Sequence, residues 1–233
     1  MSSIEEFKGF PELCITFFRE LSHNNNTIWF KEHKNDYEEY VLNPCRLFVT
    51  EMGERLRGIA PAIIADPRVN RSLFRINRDT RFSKNKIPYK THCALWFWEG
   101  SAPRMENSGF YLHLEPEKLM LGTGIYCFQK PQLEKFRSFV VDKKHGPALV
   151  KAIEKTTKSS SISLGGSHYK RIPRGFDPKH ANASLLLHNG LYVGEETPVP
   201  EVLFTAELID YCFERFNCMK TLHRWLVTMN SES

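Results

Sequence analysis

Residues Thr91 to Trp98 read THCALWFW, apolar or aromatic on both alternating phases. A strand of that composition has to be covered on both faces, so it belongs inside a sheet with other elements packed on either side. Two further alternating runs follow, Gly109 to Leu114 and Leu119 to Tyr126, joined by the turn-forming Glu115-Pro116-Glu117. Strands connected so closely pair antiparallel. Upstream, Ser72 to Asn77 sets Phe74 and Ile76 against Arg75 and Asn77 on the opposite phase, which predicts another strand. The expected fold class is α+β: a central, mainly antiparallel sheet over residues 72–126, packed by N-terminal and C-terminal helices.

The flanking segments carry helical periodicity. Phe10, Leu13, Phe17, Phe18 and Leu21 mark one apolar face of a helix entered at Pro11 and ended by the asparagines after His23. A second helix is expected from Thr27 as N-cap, interrupted at Asn43-Pro44 and resumed from Cys45 to Leu56. Helices are expected again at Pro131 to Val141, Pro147 to Thr156 and, shortly, Ala181 to Leu187. Glu201 to Met229 carries a long helix or helix pair with a stripe of Val202, Ala206, Ile209, Phe213 and Phe216. Lys158 to Gly166 reads as a loop with one short strand. No repeat or linker divides the chain, so residues 1–233 are expected to form a single domain.

No apolar run approaches the roughly 18 residues that span a bilayer. The first residues, MSSIEEFKGF, contain two acids and no apolar core of a secretory signal, so a cytoplasmic location without membrane contact is expected. The six cysteines form neither CxxC nor CxxH pairs and are expected as reduced thiols. With no HxH, HExxH, GxGxxG, GxxxxGK[ST] or GxSxG pattern, neither a metal nor a cofactor is expected.

Charge is unevenly spread. Between Arg68 and Lys90 lie eight basic residues (Arg68, Arg71, Arg75, Arg78, Arg81, Lys84, Lys86 and Lys90) and the single acid Asp79, a net +7. Because the whole chain is +5, the remainder is −2, and the basicity belongs to one place. If the flanking runs are strands, Arg78 to Lys90 is a long connector whose cations repel one another unless an anion intervenes. The residues expected to hold that anion are Arg75, Asn77, Arg78, Asp79, Arg81, Lys84, Lys86, Tyr89 and Lys90, with Phe82 or Tyr89 available to stack on a base. The competing reading is a solvated loop fixed by an Asp79 salt bridge and anchored by Phe82 and Tyr89.

A second basic cluster contains His168, Lys170, Arg171, Arg174 and His180, preceded by Gly165-Gly166, which would permit close backbone approach to an anion. Whether the two clusters meet decides whether they form a cleft. His92 and His113 lie on strands that antiparallel pairing would bring together, and read most simply as structural. Glu32, His33 and Asp36 read as a solvated helix face.

Several stretches together resemble a widespread uncharacterised family, domain of unknown function 2461. They are Phe17-Phe18-Arg-Glu-Leu with Asn25-Asn26, Trp29-Phe30 with Tyr37-Glu38, and Arg75-Ile-Asn-Arg-Asp-Thr-Arg-Phe-Ser-Lys. Lys86-Ile-Pro-Tyr-Lys90-Thr-His, Gly109-Phe-Tyr-Leu-His-Leu and Pro173-Arg-Gly-Phe-Asp177 complete them. The resemblance implies a one-domain α+β protein and brings no activity or catalytic residue. Three functions remain open. The first is a domain binding a phosphate-bearing small molecule, a nucleotide or a short nucleic acid through residues 68–90. The second is a hydrolase or transferase acting on a phosphorylated substrate, with Asp79 or His92 moving a proton. The third is an interaction domain docking an acidic partner. The oligomeric state is not encoded in any feature of the chain.

Overall fold

The computed structural model describes residues 6–159 and 161–232. Helix α1 spans Glu12–His23, α2 spans Thr27–Glu32 and α3 is the short Lys34–Asp36. A π-helical stretch, Tyr37–Leu42, runs directly into α4, Asn43–Leu56. Helices α5 (Lys130–Val141) and α6 (His145–Thr156) follow the sheet meander, and α7 (Leu208–Ser231) closes the chain. The strands are β1 (Ile63–Ile64), β2 (Cys93–Glu99), β3 (Ser108–Leu114), β4 (Lys118–Ile125), β5 (Ser163–Ser167) and β6 (His188–Pro198). They form one antiparallel sheet in the order β1-β2-β3-β4-β6-β5. No helix is long and apolar enough to cross a membrane among the described residues.

The α+β expectation holds, with helices at both ends of the chain around an antiparallel sheet, but several elements differ. The N-cap of α2 is Asn26, not Thr27, because its side chain accepts from the Ile28 and Trp29 amides, both at 3.0 Å. Asn43-Pro44 does not interrupt the helix. The widened turns before it accommodate the proline ring, so the chain stays helical through Pro44 at the cost of the one hydrogen bond its missing N–H cannot make. Leu13 is 48% exposed, and Cys14 takes the core position beside it. Along α7 Phe216 is buried as expected, but Leu208 and Cys212 take the core positions in place of Ile209 and Phe213, which are only partly buried. Ala183–Leu187 is a 3-10 turn.

Ser72 to Asn77 is not a regular strand. It meets β2 through one bridge, Leu73 with Leu95, flanked by the bonds Phe74 N to Ala94 O and Trp96 N to Ser72 O. Leu73 and Ile76 point to the core while Phe74 points away, so the strict alternation is broken. The sheet also extends well beyond residue 126, because β5 and β6 add two strands to its far edge.

The helices occupy one face of this sheet. Leu95, Phe97, Phe110, Leu112, Leu119 and Leu121 pack in one cluster with Phe18, Phe48 and Phe216 of the helices. Ile125, Leu191 and Val193 pack in a second with Phe136, Leu149 and Trp225. The intervening positions Trp96, Tyr111, Gly122 and Gly194 are aligned across four strands on the other face. None of these four belongs to either cluster. Over β2 this second face is still covered, by Phe74 and by Arg71, whose guanidinium lies 5.6 Å from the Trp98 ring. Thus β2 is buried on both faces, as its composition requires, without a helix on the second.

Candidate functional site

Beyond β2 the helix-free face is hollow. A groove of about 780 Å³ opens over β3, β4 and β6, within the size range of small-molecule sites. Its walls include Phe74, Trp96, Tyr111, His113, Met120, Tyr126 and Tyr192. Its floor includes Gly122, Gly124 and Gly194. Glycine removes side chains from alternate sheet positions, which turns a flat surface into a trough. A Cβ on Gly194 would meet nothing closer than the Leu121 carbonyl at 3.5 Å, so the space above it is free.

One end of the groove is polar. His113 Nδ1 is 3.0 Å from the Tyr111 hydroxyl, and its Nε2 is 2.8 Å from Glu115 Oε1. The His92 ring lies 4.1 Å from the His113 ring. Burial and the neighbouring His113 hold His92 neutral, its pKa lowered to about 4. Burial pushes the Tyr111 phenol up to about 12, so it stays protonated and uncharged, able to donate or to accept at its oxygen.

At the Phe74 wall the character is cationic. Arg104 Cζ sits 4.1 Å and Lys90 Nζ 5.5 Å from the Phe74 ring centroid. Burial, and then Arg75 and Arg104, lower the Lys90 pKa; burial and Arg71 lower that of Arg104. Arg104 Nε is buried without a hydrogen-bond partner. The Trp96 indole donates to the Arg104 backbone carbonyl at 3.3 Å; Arg75, Lys90 and Arg104 are neighbours of Phe74 and are not themselves among the residues lining the groove, whose charged members include Glu195 and Glu196.

The connector is shorter than expected. Arg78 N bonds Pro88 O and Lys90 N bonds Ile76 O, both at 2.8 Å, around the Asn77–Tyr89 bridge. This pinches off residues 79–87 as the true loop. Tyr89 anchors it: the ring stacks on Phe30 at 4.1 Å, and the Asn25 amide clasps the Tyr89 backbone with two bonds of 3.1 Å. Phe82 is no anchor, being 93% exposed. Most of the loop's cations are internally engaged. Arg81 holds Asp79 at 2.7 Å and draws its pKa down to about 2; Lys86 donates to Thr80 O and Arg78 to Ile87 O. Lys84 is exposed. Asp79, ionised and paired, is a poor proton acceptor. Of the nine expected residues, Arg75 and Lys90 are the ones associated with the Phe74 wall.

The second basic cluster lies after β5, at the sheet edge opposite to β1 and β2, so the two clusters do not form a cleft. Lys170, Arg171 and Arg174 are exposed; the His168 amide bonds Leu187 O, and His180 Nδ1 accepts the Asn182 amide. Gly165-Gly166 does not offer its backbone to an anion. A Cβ on Gly165 would collide with the Tyr192 ring, and one on Gly166 with the Gly190 carbonyl, so these glycines permit close strand packing. His33 stacks on Trp29 at 4.0 Å and is structural.

A Ser-His-Glu chain also exists, with Ser108 Oγ 3.0 Å from His223 Nδ1 and His223 Nε2 2.9 Å from Glu99 Oε2. Ser108 and His223 are wholly buried on the helix face, so no substrate reaches that serine. It pins α7 to the sheet.

A family model described as "Conserved hypothetical protein (DUF2461)" matches residues 14–225 of the 233-residue chain. The chain belongs to the DUF2461 family. The match covers every helix and strand from α2 to β6. No curated protein matches the chain. For this DUF2461 protein the chemistry therefore has to be read from the groove itself. The sequence reading missed Arg104, which lies in the β2–β3 connection outside the basic segment, and the aromatic walls, which are scattered over β2, β3, β6 and the segments holding Phe74 and Tyr126.

Proposed function

We propose that the groove binds a small phosphate-bearing molecule with a planar body, of mononucleotide size. The observation that carries this reading is the gathering of Lys90, Arg75 and Arg104 at the Phe74 wall. Lys90 is desolvated and repelled by Arg75 and Arg104, its Nζ donating, among the described residues, only to the Arg75 backbone carbonyl at 3.0 Å; Arg104 is desolvated and repelled by Arg71, and its Nε is buried without a partner. A bound phosphate would relieve the repulsion and satisfy the guanidinium. The aromatic walls suit a flat ring, and the glycine floor leaves room for it. A mononucleotide fits the enclosed volume better than an extended strand does, and the loop cations that would track a nucleic-acid backbone are already engaged by Asp79, Thr80 and Ile87.

The second reading is a hydrolase or transferase acting on the same ligand. It is favoured by His113, which is oriented by Tyr111 and Glu115 and lines the same groove.

The test is a titration of a nucleoside monophosphate, with EDTA present, against the wild type and Gly194→Leu. The leucine fills the groove from a position with free space above its Cβ. Saturable binding that the substitution abolishes supports the reading. Binding that is unaffected by it, or absent for nucleotides and sugar phosphates alike, overturns it.

A further inference from the structure

We infer that His92, His113 and Glu115 form a binding site for one divalent transition-metal ion at the polar end of the groove. One ligand atom from each of the three residues lies within 4.8 Å of the others. Pairing of β2 with β3 creates this arrangement. Ala94 faces His113, so His92, two residues earlier, is carried toward Glu115 at the end of β3. The lack of an HxH or HExxH spacing is therefore no obstacle, because the ligands come from two strand ends.

Three features fit a metal. Two imidazoles and one carboxylate are the donor set that favours zinc and its neighbours over magnesium or calcium. With Nε2 ligating, His113 carries its proton on Nδ1 and donates it to the Tyr111 hydroxyl oxygen 3.0 Å away, which fixes the ring and its tautomer, an outer contact characteristic of ligating histidines. Finally, His113 lines the groove, so a position left open by three protein ligands faces the space where a ligand would sit.

The geometry needs a small closure. Four-coordinate zinc keeps its nitrogen and oxygen donors about 2.0–2.2 Å away, hence roughly 3.3–3.5 Å from one another. The His113–Glu115 contact has to open slightly from 2.8 Å, and the widest separation has to shorten from at most 4.8 Å. Side-chain rotations of His92 and of the half-exposed Glu115 supply this. Lys118, 4.0 Å from Glu115, and the charge of Lys90 near His92 both oppose the cation, so the site is a moderate-affinity one.

The experiment uses the full chain stripped with EDTA and then titrated with Co²⁺, followed by visible absorption, with a parallel Zn²⁺ thermal-shift series. The expected result is one saturable site per chain with the bands of four-coordinate Co²⁺ and no thiolate charge-transfer band, and a Tm raised by Zn²⁺. Tyr111→Phe should weaken binding by about 10-fold or more. Glu115→Gln, which keeps a hydrogen bond to His113 and hence the fold, should abolish the Tm shift. Three results overturn the site: no saturable binding, binding unchanged in Glu115→Gln and His92→Gln, or thiolate bands that disappear when the exposed Cys127 and Cys218 are changed to serine. Nucleotide titrations in EDTA are independent of this outcome, so failure of the metal site and failure of the groove reading are separable.

Discussion

Replacing His223 by alanine tests whether the buried Ser108–His223–Glu99 chain is a structural pin. The ring is fully buried, 3.0 Å from Ser108 Oγ, 2.9 Å from Glu99 Oε2 and 4.5 Å from the Phe110 ring. A carboxylate only accepts, so Nε2–H donates to Glu99 and Nδ1 accepts the Ser108 hydroxyl. Alanine removes both bonds, leaves a mostly buried carboxylate with a single partner, the Ala62 amide at 2.9 Å, and opens a cavity beside Phe110. Removing one member of such a pair costs about 3–5 kcal/mol. In a chain of this size that lowers the Tm by roughly 6–20 °C. Urea unfolding followed by circular dichroism gives the number. A loss below about 1 kcal/mol would refute the reasoning. The same pin predicts a pH dependence. Its hydrogen bond to His223, together with the Ala62 amide, lowers the Glu99 pKa. A carboxylate depressed in the folded state stabilises above its unfolded value of about 4.3, and that contribution is lost as pH falls through the folded value. Wild type should thus lose stability on acidification more steeply than Glu99→Gln.

Asn25→Ala removes the two-bond clasp on the Tyr89 backbone and should cost about 1–3 kcal/mol; hydrogen exchange should show the Tyr89 amide losing protection. Gly165→Ala forces a methyl into the Tyr192 ring and should destabilise by about 1–3 kcal/mol, measurable in the same urea assay, whereas a neutral result would mean that the ring swings aside freely. Arg78→Ala with Arg81→Ala should leave nucleotide affinity within about 3-fold, because both guanidinium groups are engaged within the loop.

The β2–β3–β4 meander was legible because its signals are local: alternating apolar residues, then Glu115-Pro116-Glu117. Strand β6 was not. Its outer positions are Gly190, Tyr192, Gly194 and Glu196, and these face away from the helices rather than into the core, so the apolar alternation that marks a strand is missing. The glycines that hollow the open face erased the signature of the element that builds it. β5, Ser163–Ser167, was legible only as one short strand within the Lys158–Gly166 loop, because its two glycines leave little apolar pattern to place it. The basic segment was visible as charge, but charge does not reveal pairing. Asp79 and backbone carbonyls absorb much of it, while Arg104 and Phe74 join Lys90 only through the sheet. The nearness of His92 and His113 followed from antiparallel pairing, and Glu115 needed the register. The helical path through Asn43-Pro44 was unreadable because a π-helical widening is set by tertiary packing, not by local propensity.

The most direct test of the anion-binding groove compares a nucleoside monophosphate with its unphosphorylated nucleoside, in wild type and in Lys90→Ala with Arg104→Ala. If the cations at the Phe74 wall hold the phosphate, the double substitution weakens the nucleotide by about 10- to 100-fold and leaves the nucleoside unchanged. Equal losses for both, or no loss for the nucleotide, would contradict it.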